Sequence, residues 1–180
     1  MEKLQLRLAG SGGQGVILAT VILAEAAVLS GLEAAQSQSY GPEARGGSCK
    51  AEVIISDERI GFTKVLKPSF LMALTQKALE TYGHNLPDDC LVLIDESLEP
   101  IEDLKGHKVV QLPILRTAVE KVGKAMTANI VAVGAINELM HLTSREELRE
   151  AVFMHIPKGT EALNGQALEE GIKLAEGLQA

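Results

Sequence analysis

The chain has 180 residues, 46% of them hydrophobic and 23% charged, which is enough to bury a core within one domain spanning 1–180, with no linker and no covalent staple. Its formal net charge of -7, an aromatic fraction of 3% and the absence of Trp exclude the basic, ring-bearing surface on which nucleic acids are held.

The first predicted element is a strand over 4–9, followed by Gly10-Ser11-Gly12-Gly13-Gln14-Gly15 and then a helix beginning at Val16. Gly10, Gly12 and Gly15 satisfy G-x-G-x-x-G. This spacing permits a tight turn, lets backbone N–H groups approach a phosphate, and aims the positive end of the helix at it. A glycine-rich turn also serves where a helix simply packs close on a sheet, and the six residues alone leave both readings open. Dinucleotide binding further requires an acidic residue roughly 20 positions on, at the end of the second strand. The second strand, near 32–38, ends in Gln36-Ser37-Gln38 with Glu33 only at its start, which argues against ordinary NAD binding.

The helix Val16 to Leu29 is interrupted by only Thr20 and Glu25 and is apolar nearly all round, so it is expected to be covered on several sides by the sheet, a second helix or another subunit. It is shorter than the ~20 residues a membrane span requires. Between the second strand and a third at 49–56 lies Ser39-Tyr40-Gly41-Pro42-Glu43-Ala44-Arg45-Gly46-Gly47-Ser48. Gly-Pro and Gly-Gly suit a turn, yet the segment is longer than the ~2–5 residues a hairpin needs, and it gathers Tyr40, Glu43 and Arg45 as a contact surface.

Lys67-Pro68-Ser69 is read as opening a helix that runs through Tyr82, with Phe70, Leu71, Leu74, Ala78 and Leu79 at helical spacing and Gly83 as its stop. Strands follow at Leu91–Asp95 and at 109–113, then helices over 116–124, 129–141 and 145–153. Ser144 and Glu147 form a capping box. Gly134 is expected to mark a close helix–sheet approach, and the last helix, 160–178, is weakened by Gly165, Gly171 and Gly177 and needs a surface to hold it. This alternation calls for an α/β fold with a mostly parallel sheet and an antiparallel portion around the polar loop.

Cys49 and Cys90 lie in no C-x-x-C arrangement and are expected to be reduced thiols, while His84, His107, His141 and His155 are scattered without ligand spacing. No basic segment with an apolar run and a cleavage site precedes the first strand, so a cytoplasmic location is expected.

Gly10 to Val16, Ser39 to Gly47, the strand ending at Ser56-Asp57, and Asn129-Ile130-Val131-Ala132-Val133-Gly134-Ala135 occur in an order and spacing that resembles the gamma subunit of 2-oxoacid:ferredoxin oxidoreductases. The resemblance implies a single three-layer, Rossmann-like domain. It implies a part in the CoA-dependent oxidative decarboxylation of a 2-oxoacid such as pyruvate or 2-oxoglutarate, with electrons passed to ferredoxin through the complex. The expected partners are alpha and beta subunits, in some enzymes also a delta subunit, with a homodimer as one form open to the isolated chain. Thiamine diphosphate, Mg and iron–sulfur clusters are expected in those partner chains, because this sequence carries neither cluster cysteines nor a G-D-G…N-N thiamine pattern. The chain is therefore expected to have no catalytic residue and to be inactive alone. Gly10, Gly12, Gly13, Gln14 and Gly15 are assigned to the phosphates of coenzyme A or to a neighbouring chain, and Tyr40, Gly41, Pro42, Glu43, Arg45, Gly46 and Gly47 to a subunit interface. The competing expectation is a stand-alone Rossmann-like protein that binds a nucleotide or another phosphate ligand.

Overall fold

A computed structural model describes residues 3–40 and 47–178. Its sheet has six strands in the order β2-β3-β1-β4-β5-β6: β1 (Leu4–Ser11), β2 (Glu33–Tyr40), β3 (Ser48–Ser56), β4 (Phe70–Ala73), β5 (Leu91–Asp95) and β6 (Val109–Leu112). The pairings β1–β4, β4–β5 and β5–β6 are parallel, while β3 runs antiparallel to both of its neighbours. The antiparallel portion therefore consists of one reversed strand, β3, inserted between β1 and β2.

The expected helix from Lys67 to Tyr82 is two elements. Phe70–Ala73 is the strand β4, buried at all four positions, and only Gln76–Tyr82 is helical (α2), capped by the Thr75 hydroxyl accepting from the Ala78 N–H at 3.2 Å. Phe70 and Met72 face one core while Leu71 and Ala73 face the other. A short run buried on both faces shows neither a period of two nor one of 3.6, so spacing cannot separate strand from helix there.

The two faces are covered unequally. Helix α2 lies over the smaller core with Leu79, Cys90, Val92 and Ile94. The larger core is closed by α1 (Val16–Leu29), α3 (Ile114–Thr117), α4 (Ala128–Met140), α5 (Arg145–His155) and α6 (Glu161–Ala175). As its composition required, α1 is covered on several sides, by β2, β3, α4 and α5. The segment expected as a helix over 116–124 is the short α3 continued by a single π-turn, Ala118–Val122, which ends at Gly123 with φ 86°.

Gly134 does not meet the sheet. A Cβ there would lie 2.5 Å from the Leu168 carbonyl oxygen of α6, and a Cβ on Gly171 would run into the Val131 carbonyl of α4. The surface that holds the glycine-weakened last helix is α4 itself, brought to backbone contact because both helices lack a side chain at the crossing. Ser144 and Glu147 form the expected capping box, and Glu147 also accepts from the hydroxyl of Ser30 at 2.7 Å, which ties the end of α1 to the start of α5.

Candidate functional site

The glycine loop leaves the end of β1 as a turn in which the Gln14 N–H donates to the Ser11 carbonyl at 3.1 Å. The Gln14 side chain folds back so that its Oε1 accepts from the Ser11 N–H at 2.8 Å, and it occupies the space where a Cβ on Gly10 would stand. Gly10 is thus required by the loop's own closure. Gly15 is the N-cap of α1 and adopts φ 70°, a left-handed conformation that glycine takes without penalty. A Cβ on it would strike the Asn129 carboxamide, whose Nδ2 comes within 3.4 Å of the Gly15 carbonyl oxygen.

Gly12 and Gly13 differ from their neighbours. Both are exposed, neither has a positive φ, and a Cβ on either would meet nothing within 4 Å. No contact within the described chain demands glycine at these two positions.

Beside the loop lies a cleft of about 360 Å³, within the range of small-ligand sites. Gly13 and Gly15 form one wall; Thr127 and Asn129, at the start of α4, form a second; Thr160 and Asn164, at the start of α6, form a third. Leu18, Ile130, Ile156 and Leu163 give it an apolar floor, and Lys124 and Met126 stand at its rim. The N-caps of α1, α4 and α6 are Gly15, Thr127 and Thr160, and none makes a side-chain capping hydrogen bond. Three long helices therefore direct the positive ends of their dipoles at one cavity, with a lysine over it. Some α4 donors are already taken, since a 3-10 turn bonds the Thr127 N–H to the Lys124 carbonyl at 3.0 Å, so α1 and α6 supply most of the free ones. Asn129 and Asn164 are 6% and 8% exposed. The Asn164 amide donates to the carbonyl and hydroxyl of Thr160, whereas the Asn129 Oδ1 has no hydrogen-bond partner among the described residues. The arrangement is chemically suited to an anion carried on a partly apolar molecule.

Sequence reasoning found the loop but missed Lys124, Asn129, Thr160 and Asn164. They are brought to Gly15 from more than 100 residues along the chain, and no local pattern marks them. Of the expected interface residues, Tyr40 ends β2 and Gly47 is buried just before β3; Gly41, Pro42, Glu43, Arg45 and Gly46 lie outside the described residues. A second concavity on the other side of the loop, lined by Ser11, Gly12, Ile17, Val21 and Cys49, opens next to that segment.

Topology gives a second reason why the dinucleotide pattern fails. In a dinucleotide-binding fold the second strand lies beside the first, so an acid at its end reaches the ribose. Here β3 separates β1 from β2. Asp95, at the end of β5, is 1% exposed and structurally committed, accepting from the Ser97 N–H and hydroxyl and from the Leu115 N–H.

Both cysteines are free and buried. Burial raises the thiol pKa of each, that of Cys90 to about 11, which keeps both protonated near neutrality and makes them poor nucleophiles. Among the described residues no group of three or more His, Cys, Asp or Glu could hold a metal ion, and no helix is long and apolar enough to cross a membrane.

Residues 5–174 match the pyruvate ferredoxin/flavodoxin oxidoreductase family. The 2-oxoglutarate synthase subunit KorC of Methanocaldococcus jannaschii is 44% identical, over 97% of this chain and 95% of that protein. The crystal structure of the gamma subunit of a keto/oxoacid ferredoxin oxidoreductase from Geobacter sulfurreducens superposes with a TM-score of 0.88 at 38% identity, covering 97% of each chain. A 2-oxoglutarate:ferredoxin oxidoreductase from Magnetococcus marinus, described with 2-oxoglutarate, coenzyme A and succinyl-CoA bound, superposes with a TM-score of 0.87 at 25% identity; it covers 99% of this chain and only 32% of that one.

Proposed function

We propose that this chain, which belongs to the pyruvate ferredoxin/flavodoxin oxidoreductase family as a gamma subunit of a 2-oxoacid:ferredoxin oxidoreductase, presents its glycine loop and the adjoining cleft to the phosphates of coenzyme A in the assembled enzyme. Decarboxylation and electron transfer belong to partner subunits carrying thiamine diphosphate, Mg and iron–sulfur clusters. The observation that carries this reading is the convergence of three uncapped helix N-termini and Lys124 on one cleft with an apolar floor. Phosphate fits the donors, and a pantetheine arm fits Leu18, Ile130, Ile156 and Leu163.

The oxoacid we assign to the complex is 2-oxoglutarate, because the M. jannaschii relative, similar over nearly its whole length, is named for that substrate. Its binding pocket is placed in the partner chains, beside the thiamine.

Native co-purification tests the assignment. Tagged chain drawn from its own cells should retrieve subunits that bind thiamine diphosphate and iron–sulfur clusters, and the retrieved assembly should reduce a viologen dye with 2-oxoglutarate only when coenzyme A is supplied. A chain recovered alone that binds nucleotide by itself would instead support the stand-alone phosphate-ligand protein.

A further inference from the structure

Strand β2 is an edge of the sheet. Its pairing with β3 is regular from Glu33↔Ser56 to Tyr40↔Cys49, and its sequence EAAQSQSY holds no Pro and no Lys. Natural edge strands are commonly protected against pairing by Pro, Lys, a bulge or a covering segment. Among the described residues no backbone hydrogen bond reaches the outer side of β2, and its pairing with β3 contains no bulge.

The helix lying over this edge is equally unprotected. The Gln36 amide donates to the Thr20 hydroxyl at 3.1 Å, which marks the side of α1 that faces β2. Ile17, Val21, Ala24 and Val28 lie next to Thr20 around the helix, on the outward side, and Val28 is 53% exposed. Edge and stripe form one lateral surface on which Glu33 and Glu25 are the only charged residues, in a chain with a net charge of -7. Glu25 is already paired with His155.

We propose that this surface joins two copies of the chain through antiparallel β2–β2 pairing about a two-fold axis perpendicular to the sheet. Such an axis keeps each side chain on its own face only if residues of equal parity lie opposite one another, so it passes at Gln36 or at Ser37. In either register Glu33 of one copy lies far from Glu33 of the other, and the pairing meets no like-charge repulsion. Because α1 packs across both β2 and β3, pairing the edges at the usual strand spacing sets the two α1 axes about 10 Å apart, the distance at which helices pack, with Ala24 allowing the approach. An edge of eight residues is roughly 27 Å long, and a strip of that length and two layers' height is smaller than the ~800 Å² per partner of a standard interface. The dimer is therefore weak and concentration-dependent.

Sedimentation of the full chain across about 1–500 μM tests this, micromolar dissociation being the range expected of so small an interface. Wild type should shift from monomer to dimer. Val28→Lys, at an exposed position, should stay monomeric through at least tenfold higher concentration, as should Gln38→Lys, while Met154→Lys on α5 should dimerise like wild type. A wild type that is monomeric throughout, or a dimer that Val28→Lys and Gln38→Lys leave intact, overturns the proposal.

Discussion

The Gln14 carboxamide oxygen receives the Ser11 N–H at 2.8 Å, so the glycine loop is closed by one of its own side chains and is already shaped before any ligand arrives. Gln14 therefore positions the loop, while its amide nitrogen is left to face an anion. Gln14→Glu keeps the acceptor and the shape and adds a negative charge. It should leave stability within about 0.5 kcal/mol, as for an exposed change. In the assembled enzyme it should raise the apparent constant for coenzyme A about tenfold or more, the loss expected of one charge-assisted contact. Steady-state titration of coenzyme A measures this, and an unchanged constant would separate the loop from the phosphates.

At the crossing of α4 and α6, Gly171→Ala forces a methyl group into the Val131 carbonyl, where the obstacle is backbone and cannot swing away. Overpacking of this kind costs about 1–3 kcal/mol. Urea unfolding of Gly171→Ala should show a loss at the upper end of that range, whereas Gly12→Ala, which meets open space, should be nearly neutral.

Hydrogen bonds from Ser30 and then Ser144 hold the Glu147 carboxyl below its ordinary pKa. A carboxylate depressed in the folded state contributes stability that is present above its unfolded pKa and is lost as pH falls through the folded one. Wild type should therefore exceed Glu147→Gln in stability at pH 7, and the difference should vanish below about pH 3, under the usual carboxylate range. Unfolding midpoints of the two proteins at both pH values measure it.

The isolated chain, mixed with thiamine diphosphate, coenzyme A and a viologen dye, should reduce no dye with pyruvate or 2-oxoglutarate. Spectrophotometric assay at high enzyme concentration checks this. Dye reduction that tracks the purified chain would place catalysis in it.

Much of this was legible in the sequence where a local pattern has a local cause. The run from Val16 to Leu29 lacks helix breakers, and the structure gives a helix with those same bounds. Ser144 and Glu147 at capping-box spacing close the box. Legibility failed where the cause is tertiary. Phe70–Ala73 becomes a strand because β1 and β5 pair with it on either side, and Gly134 faces α6, which the chain reaches only some 30 residues later. The loop was visible as a glycine pattern, but the cleft depends on bringing Lys124, Asn129 and Asn164 to it, which only the packing of α4 and α6 accomplishes.

Gly13→Val in the assembled enzyme tests the central claim most directly, because Gly13 lines the cleft, is exposed, has no positive φ and would place its Cβ in open space. The fold and the assembly should survive the substitution, and only a molecule entering the cleft should feel the added isopropyl group. The account predicts an apparent constant for coenzyme A raised about tenfold or more, equivalent to a loss of roughly 1.4 kcal/mol or more, with that for the oxoacid unchanged. An intact, assembled variant whose coenzyme A constant equals that of wild type would contradict it.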